Sequence, residues 1–243
     1  MPSVASFAET AALVGDPARA NMLAALMNGR ALTATELART ADITPQTASG
    51  HLARLTEAGL LTMERQGRHR YHRLASPGIA HMLESIMAVA DARLNGEGDS
   101  RRRASVLVGP RDQALRYART CYDHLAGQVA VAMADRMTEL GLIDLAADGG
   151  ALSEDGIAFL HTLGVEIDGL VTRAGRRGGR VFCRPCFDWS ERRSHIAGAV
   201  GAALCNTCLS RGWLRRIDGT RAVAVTPVGR GALSKMFGSG VVR

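Results

Sequence analysis

The stretch ITPQTASGHLARLTEAGLLTMERQGRHRYHRL, residues 43–74, decides the fold of the first part of this 243-residue chain. Thr44 followed by Pro45 has the residue types of a helix N-cap and of a first helical position. Gly59 is typical of the residue just after the end of a helix. The sequence therefore predicts a helix that begins at Thr44 and ends before Gly59.

Two short runs separated by a glycine follow that helix, at residues 60–65 and 68–74. Such a pattern predicts a β-hairpin. Its tip carries three arginines: Arg65, Arg68 and Arg70. We expect their guanidinium groups to lie along a DNA phosphate backbone or to enter a minor groove.

The sequence predicts two further helices before the one that starts at Thr44. Asp16 followed by a proline begins the first, and Thr33 or Thr35 caps the second. Residues 41–43 then make a tight turn. The predicted order is helix, tight turn, helix.

The helix that begins at Thr44 leaves polar side chains on an exposed face, where they can reach phosphate oxygens and base edges in a major groove. We therefore predict that it is the recognition helix of a DNA-binding domain. The residues assigned to DNA contact are Thr44, Gln46, Thr47, Ser49, His51 and Arg54.

The span TPQTASGHLARLTEAGLL and the hairpin after it resemble the winged helix-turn-helix of the ArsR/SmtB-type repressors, in a longer branch with an extra C-terminal domain. The resemblance implies a homodimer on a palindromic operator of double-stranded DNA, and repression that an effector relieves. The common metal sites of that family lack ligands here. Residues 36–42 contain no cysteine, and residues 79–94 offer only one histidine, His81.

Residues 79–94 carry an apolar stripe that is wider than a small domain needs. We expect this helix and a helix at residues 4–14 to form the dimer seam. The alternative is that the helix packs on the second half of the chain. Residues 1–94 are thus predicted to be the DNA-binding and dimerisation domain, residues 95–110 a linker, and residues 111–243 a sensor domain.

The predicted sensor domain contains an internal repeat, at residues 111–179 and 180–243. The motif CYDH that begins at Cys121 matches CFDW at Cys186, and His195 follows the second motif after a short insertion. An apolar helix, a hairpin and a capped helix come after each motif. The predicted fold class is mainly α with small β-hairpin wings (α+β): an N-terminal winged helix-turn-helix and C-terminal tandem winged-helix-like modules.

All five cysteines follow residue 120. In a reducing compartment such cysteines favour metal binding or thiol chemistry over disulfides. The C-x2-C-x18-C-x2-C spacing is that of a four-thiolate zinc site. Its members would be Cys183, Cys186, Cys205 and Cys208. The repeat offers the alternative set Cys121, His124, Cys186 and His195.

Three uses of these side chains remain open at this point. They could bind zinc or another thiophilic metal, form a thiol switch for oxidants or electrophiles, or be structural cysteines around an organic ligand or no ligand. Cys186 belongs to both metal sets. We therefore expect the effector to act on residues 111–243.

The net charge of +7 suits a polyanionic partner. Residues 180–243 hold eleven Lys and Arg against three Asp and Glu, so the charge supports nucleic-acid contact but does not place it in the first domain. A hydrophobic fraction of 47% allows real cores. No apolar run is long enough to cross a bilayer and no signal peptide is recognised, so we expect a cytoplasmic protein without a membrane partner.

These features together predict a DNA-binding transcriptional repressor that is released by an effector sensed in its C-terminal half. We do not expect an enzyme, because a glycine-rich phosphate loop, a nucleophile elbow and paired catalytic carboxylates are absent. A nucleophilic cysteine is the enzymatic alternative. An architectural DNA-binding protein without an effector is a further alternative, against which the large second half argues.

Overall fold

The computed structural model of the protein describes residues 3–67, 69–96, 113–146, 149–167, 169–170 and 181–242. It divides into two compact units, Met1–Leu83 and Glu84–Arg243. Most of the predicted linker, like Arg68 of the predicted wing, lies outside the described residues. No helix within the described ranges is long and apolar enough to cross a membrane.

The first unit consists of helices and one three-stranded sheet. Its elements are α1 (Val4–Gly15), α2 (Pro17–Leu26), β1 (Leu32–Thr33), α3 (Ala34–Ala41), α4 (Pro45–Glu57), β2 (Leu61–Gln66) and β3 (His69–Leu74). A long helix, α5 (Pro77–Gly96), begins in this unit and continues into the second.

Side-chain caps start the helices of the first unit where the sequence predicts. Asp16 caps α2 by accepting from the backbone N–H of Arg19 at 2.9 Å. Thr33 forms a capping box with Glu36 at the start of α3. Thr44 caps α4 by accepting from the backbone N–H of Thr47. The predicted helix starts are confirmed.

The wing is an antiparallel hairpin of β2 and β3, with Gln66 opposite His69 across the turn. Gly67 has the positive φ of 58° that the turn requires. The short strand β1 pairs with the other edge of β3, so the sheet order is β1-β3-β2. The predicted hairpin is confirmed.

The helix-turn-helix pair is held together by leucines. Leu37 of α3 and Leu52 and Leu55 of α4 are 0–1% exposed. Burying one such side chain contributes about 1.5–3 kcal/mol to the stability of the folded unit. The apolar face of α4 is therefore buried in the core, and its polar face is exposed to solvent.

The second unit is built from short hairpins and helices. After the start of the unit on α5 come α6 (Gln113–Tyr117), β4 (Arg119–Cys121), β5 (His124–Ala126), α7 (Gln128–Glu139), β6 (Ile143–Ala146), β7 (Gly149–Leu152) and α8 (Glu154–Thr162). The second copy of the repeat contributes β8 (Arg184–Asp188), β9 (Arg193–Ala197), α9 (Gly198–Ser210), β10 (Leu214–Arg216), β11 (Val223–Val225) and α10 (Pro227–Phe237).

Each copy of the repeat has the order hairpin, helix, hairpin, helix. The predicted run of helix, hairpin and helix is confirmed in both copies. The first hairpin of each copy, β4–β5 and β8–β9, is an addition to the prediction. Strands β4 and β5 are three residues long and buried at every position, so they show no alternation of apolar and polar residues.

A glycine joins that first hairpin to the following helix in both copies. Gly127 and Gly198 have φ values of 91° and 81°. A Cβ atom would lie 2.6 Å from the Arg116 carbonyl oxygen at Gly127, and 2.7 Å from the Val181 carbonyl oxygen at Gly198. Only glycine fits this close approach of backbone to backbone.

Gly198→Ala should lower the free energy of unfolding of the second unit. The left-handed backbone alone costs an alanine roughly 1–2 kcal/mol, and the contact with the Val181 carbonyl adds to that cost. Gly231→Ala is the matched control, because Gly231 lies in α10 with open space around it. It should raise stability by about 0.5–1 kcal/mol.

Urea unfolding followed by the fluorescence of Trp189 and Trp213 measures both variants, because the chain's two tryptophans lie in this unit. Equal stability of the two alanine variants would contradict the assigned role of Gly198.

Candidate functional site

The predicted DNA-contacting residues of α4 lie on its outer face. Five of the six are exposed: Thr44, Gln46, Thr47, Ser49 and Arg54. His51 differs, because it is half-buried and its Nδ1 lies 3.1 Å from Nη1 of Arg19. Arg19 also donates to the carbonyls of Leu13 and Ala12 at the end of α1. His51 is thus partly engaged in the packing of the unit.

The wing carries two of its three predicted arginines within the described residues. Arg65 and Arg70 occupy opposite positions of the β2–β3 ladder, and both are exposed. The neighbouring Arg73 forms an ion pair with Glu64 at 2.8 Å. The two guanidinium groups near the tip therefore make a cationic edge, while the base of the wing is charge-balanced.

The first hairpins of the two repeat copies place cysteines opposite histidines. Cys121 pairs with His124 across β4–β5, and Cys186 pairs with His195 across β8–β9. Their ligand atoms all lie within 4.8 Å of one another, and all four side chains are buried. We call these four residues the Cys/His cluster. The structure brings together the alternative set that the repeat predicts.

The two histidines of the Cys/His cluster meet through their Nε2 atoms, 3.1 Å apart. Each Nδ1 faces a carboxylate. Nδ1 of His124 lies 3.3 Å from Oδ1 of Asp123, and Nδ1 of His195 lies 3.6 Å from Oδ2 of Asp188. The Asp123 contact is within hydrogen-bond distance and orients the ring of His124, whereas the Asp188 contact is a longer electrostatic one.

Asp188 is a buried carboxylate that holds the second hairpin in place. Oδ1 accepts from Arg119 Nη2 at 3.0 Å and from Ser190 Oγ at 2.7 Å, and Oδ2 accepts from the backbone N–H of Gly127 at 2.6 Å. Burial opposes ionisation, but Arg119, His195 and these hydrogen bonds outweigh it and hold the pKa of Asp188 well below its usual range.

The thiols of the cluster have polar partners of their own. Cys121 Sγ donates to Oε2 of Glu84 at 2.9 Å, and Oε1 of Glu84 accepts from Arg221 Nη1 at 3.0 Å. Burial acts against the ionisation of Glu84, yet Arg221 and Cys121 keep its pKa below the ordinary value. The hydrogen bond with Cys121 also lowers the pKa of the Cys186 thiol, against the effect of burial.

Comparison with known proteins decides the family. Residues 14–64 match a family model described as a helix-turn-helix domain. An HTH-type transcriptional regulator of Bacillus subtilis, the uncharacterized YdfF, is 39% identical over 231 residues, which cover 95% of this chain and 96% of that protein. The chain belongs to the family of HTH-type transcriptional regulators.

Solved structures are similar to part of this HTH-type regulator. The winged helix-turn-helix domain of Mb0332 from Mycobacterium bovis, described as homodimeric and possibly of the ArsR family, is 23% identical. The match covers 40% of this chain and 90% of that domain, with a TM-score of 0.36. The antimony-specific repressor AntR is 26% identical over 38% of this chain and 86% of its own, with a TM-score of 0.33.

The structure of this HTH-type regulator does not bring the four cysteines of the predicted four-thiolate set together in one group. Only Cys186 lies in the Cys/His cluster, while the other three cysteines belong to the apolar core: Cys183, Cys205 and Cys208. Burial raises the pKa of the Cys183 and Cys205 thiols to about 11 and that of Cys208 to about 12. Their spacing resembles a zinc motif, but the core takes them up as small apolar side chains.

The sequence of the HTH-type regulator does not predict several residues that contact or surround the Cys/His cluster. Glu84 meets Arg221 from 137 residues away, and Arg119 meets Asp188 across 69 residues. No motif links these pairs. The one available signal was Asp188 itself, which lies in the repeated motif.

Asp188→Asn should lower the free energy of unfolding of the second unit by about 3–5 kcal/mol at neutral pH, because Arg119 would be left buried without its counter-charge. Asp218→Asn is the control. Asp218 is exposed in the β10–β11 connection, and its change should stay within about 0.5 kcal/mol. Urea unfolding followed by tryptophan fluorescence measures both, and similar small effects would show that the Asp188 ion pair is dispensable.

Proposed function

We propose that this regulator is an ArsR-type repressor that binds a palindromic DNA operator as a homodimer and is released by an effector acting on its second unit. The observation that carries the proposal is the exposed polar face of α4 beside the arginine-bearing wing. A helix followed by such a wing presents both a base-reading and a phosphate-binding surface. A regulator that reads DNA works where the DNA is, so the cytoplasm is its proposed location.

Helix α4 is the proposed recognition helix. Its leucines are buried, so the helix can present only its polar face to the major groove. Gln46 and Thr47 are exposed in its first turn, which is the part that contacts base edges in helix-turn-helix proteins. Ser49 and Arg54 follow on the exposed surface and are assigned to phosphate or base contact.

The proposed dimer seam uses apolar side chains that each unit leaves exposed. Val4 and Phe7 of α1 are 85% and 73% exposed, and Ile86 and Val89 of α5 are 47% and 64% exposed. A second copy of the chain would cover such surfaces. Two recognition helices would then read the two halves of a palindrome.

The effector is proposed to act on the second unit. All five cysteines lie there, and the Cys/His cluster combines buried thiols with imidazoles. These ligand types favour zinc or another thiophilic metal over hard cations. The cavity lined by Met133, Leu204 and their neighbours has a volume of about 10 Å³, so this cavity is too small for an organic ligand. That volume is at the lower limit for a single water molecule.

Gln46→Ala should weaken binding to DNA that the wild-type protein selects from a random pool, by about 5- to 100-fold, and should change binding to random duplex much less. The reason is that a bidentate base contact contributes about 1–3 kcal/mol of discrimination. Fluorescence anisotropy measures both affinities. The control is Gln128→Ala, an exposed glutamine of α7, which should leave both unchanged. Full selectivity in Gln46→Ala would remove α4 from the base-reading role.

Arg70→Ala should weaken binding to every DNA sequence and reduce the slope of log affinity against log salt by about one unit, because one phosphate contact is lost. Arg215→Ala removes an exposed arginine of β10, which is matched in charge and exposure, and should keep the wild-type slope. The measurement is a salt titration of DNA affinity for the three proteins. A slope unchanged by Arg70→Ala would place the wing away from the DNA.

A further inference from the structure

We propose that Cys121, His124, Cys186 and His195 form a tetrahedral site for one thiophilic divalent cation such as Zn²⁺, and that this cation is the effector. The second part of the statement rests on the proposed function of the protein as a DNA-binding repressor. The first part rests on the geometry of the second unit alone.

The β-ladders place the four ligands. Cys121 faces His124 across a two-residue turn, and Cys186 faces His195 two rungs from the end of the β8–β9 ladder. The two hairpins therefore offer one sulfur and one nitrogen each, all within 4.8 Å of one another. In a zinc site with Zn–S near 2.3 Å and Zn–N near 2.0 Å, ligand atoms lie roughly 3.3–3.8 Å apart. Small side-chain shifts reach that geometry: the two Nε2 atoms, 3.1 Å apart, separate slightly, and any ligand atoms farther apart than this range approach each other.

The histidine pair points to a cation between the two rings. A carboxylate oxygen can only accept, so Nδ1 of His124 carries a proton toward Asp123. Nδ1 of His195 lies 3.6 Å from Oδ2 of Asp188, which is beyond hydrogen-bond distance. The two Nε2 atoms face each other across 3.1 Å, a separation close to that of two nitrogen ligands on one tetrahedral metal ion. A shared cation would accept one coordination bond from each ring.

Asp123 and Asp188 complete the arrangement as partners of the ligating imidazoles. Carboxylates that accept from Nδ1 fix the tautomer of a metal-binding histidine and raise its basicity. Asp188 is itself held by Arg119 and by the backbone N–H of Gly127, so a fixed carboxylate lies 3.6 Å from Nδ1 of His195.

Charge balance favours a divalent ion in this buried place. Binding converts two thiols and M²⁺ into two thiolates on the metal, and the two thiol protons pass to water. The resulting centre of two thiolates, two neutral imidazoles and M²⁺ has no net charge, which reduces the cost of burial. Two sulfur and two nitrogen ligands select zinc-like ions and disfavour Mg²⁺ and Ca²⁺.

Metal binding has a direct consequence at Glu84. The thiol of Cys121 donates to Oε2 of Glu84 at 2.9 Å, and a metal-bound thiolate has no proton to donate. The cation and the Cys121–Glu84 hydrogen bond therefore exclude each other. Glu84 lies on α5, the helix that begins at Pro77 in the first unit. Loss of this bond is the proposed link between the metal and the release of DNA.

The experiment begins with full-length, metal-free protein kept reduced and titrated with Co²⁺. The expected result is one Co²⁺ per chain, with thiolate-to-cobalt absorption in the near ultraviolet and the intense visible bands of a tetrahedral centre. Cys121→Ser and Cys186→Ser should each weaken binding by on the order of 100-fold or more. Cys205→Ala is the matched control, a buried cysteine outside the cluster that should keep the wild-type spectrum.

Two measurements on the wild-type protein decide the matter even where a serine variant does not fold. Calorimetry of Zn²⁺ binding in buffers of different ionisation enthalpy should show release of about two protons per metal ion. Wild-type protein that binds Co²⁺ without thiolate absorption, or Zn²⁺ without proton release, would overturn the proposed site. A spectrum lost in Cys205→Ala but kept in Cys186→Ser would overturn it in favour of the other cysteines.

Operator binding in the presence and absence of Zn²⁺ separates the site from the function. Selective DNA binding without a cobalt spectrum would refute the site and leave the repressor intact. A cobalt spectrum without selective DNA binding would refute the repressor and leave the site intact. Zn²⁺ that occupies the site but leaves operator affinity unchanged would refute its role as effector.

Glu84→Gln tests the proposed link. A neutral amide accepts the thiol proton less strongly than a carboxylate does, so less is lost when the metal displaces it. The variant should keep the cobalt spectrum, and the factor by which Zn²⁺ lowers operator affinity should be smaller than in the wild type. An equal factor in both proteins would exclude Glu84 from the link.

Discussion

The second unit depends on one buried ion pair, between Arg119 and Asp188. Both side chains are at most 1% exposed, and their charged atoms lie 3.0 Å apart. Desolvating two charges is costly, and the cost is met only because further hydrogen bonds surround the pair. Asp188 also accepts from Gly127, and Arg119 also donates to Leu115. The pair thereby joins the first hairpin of one repeat copy to that of the other.

That junction explains why the cysteines and histidines meet. The repeat places the same residue types on two hairpins, and the ion pair brings the hairpins side by side. The glycines that follow each hairpin let the next helix turn back closely enough to bury the cluster. The polar groups then lie in a row: Asp188 is near His195, and His195 meets His124 beside Asp123.

The two units differ in the range of the interactions that shape them. In the first unit, the N-cap Thr44 and the turn at Gly67 are set by interactions between residues only a few positions apart in the sequence. In the second unit, the decisive contacts join residues 61 to 137 positions apart. A surface that reads DNA can therefore be rigid by itself, whereas the cluster exists only when the whole second unit is assembled. Binding of a ligand at such a cluster can therefore change the packing of the second unit.

The sequence by itself determined the winged helix-turn-helix, the repeat and the residues of the alternative Cys/His set, because capping, turn chemistry and self-similarity are local or are visible as repetition. Only the tertiary structure decided which cysteines lie in the Cys/His cluster and which lie in the apolar core. Cys183 and Cys186 are three positions apart in the sequence, yet Cys183 packs in the apolar core and Cys186 lies in the Cys/His cluster. Glu84, Arg119 and Arg221 likewise gained their roles from distant partners. Burial and contacts between distant residues arise only in the folded chain, so the spacing of residues along the sequence does not predict them.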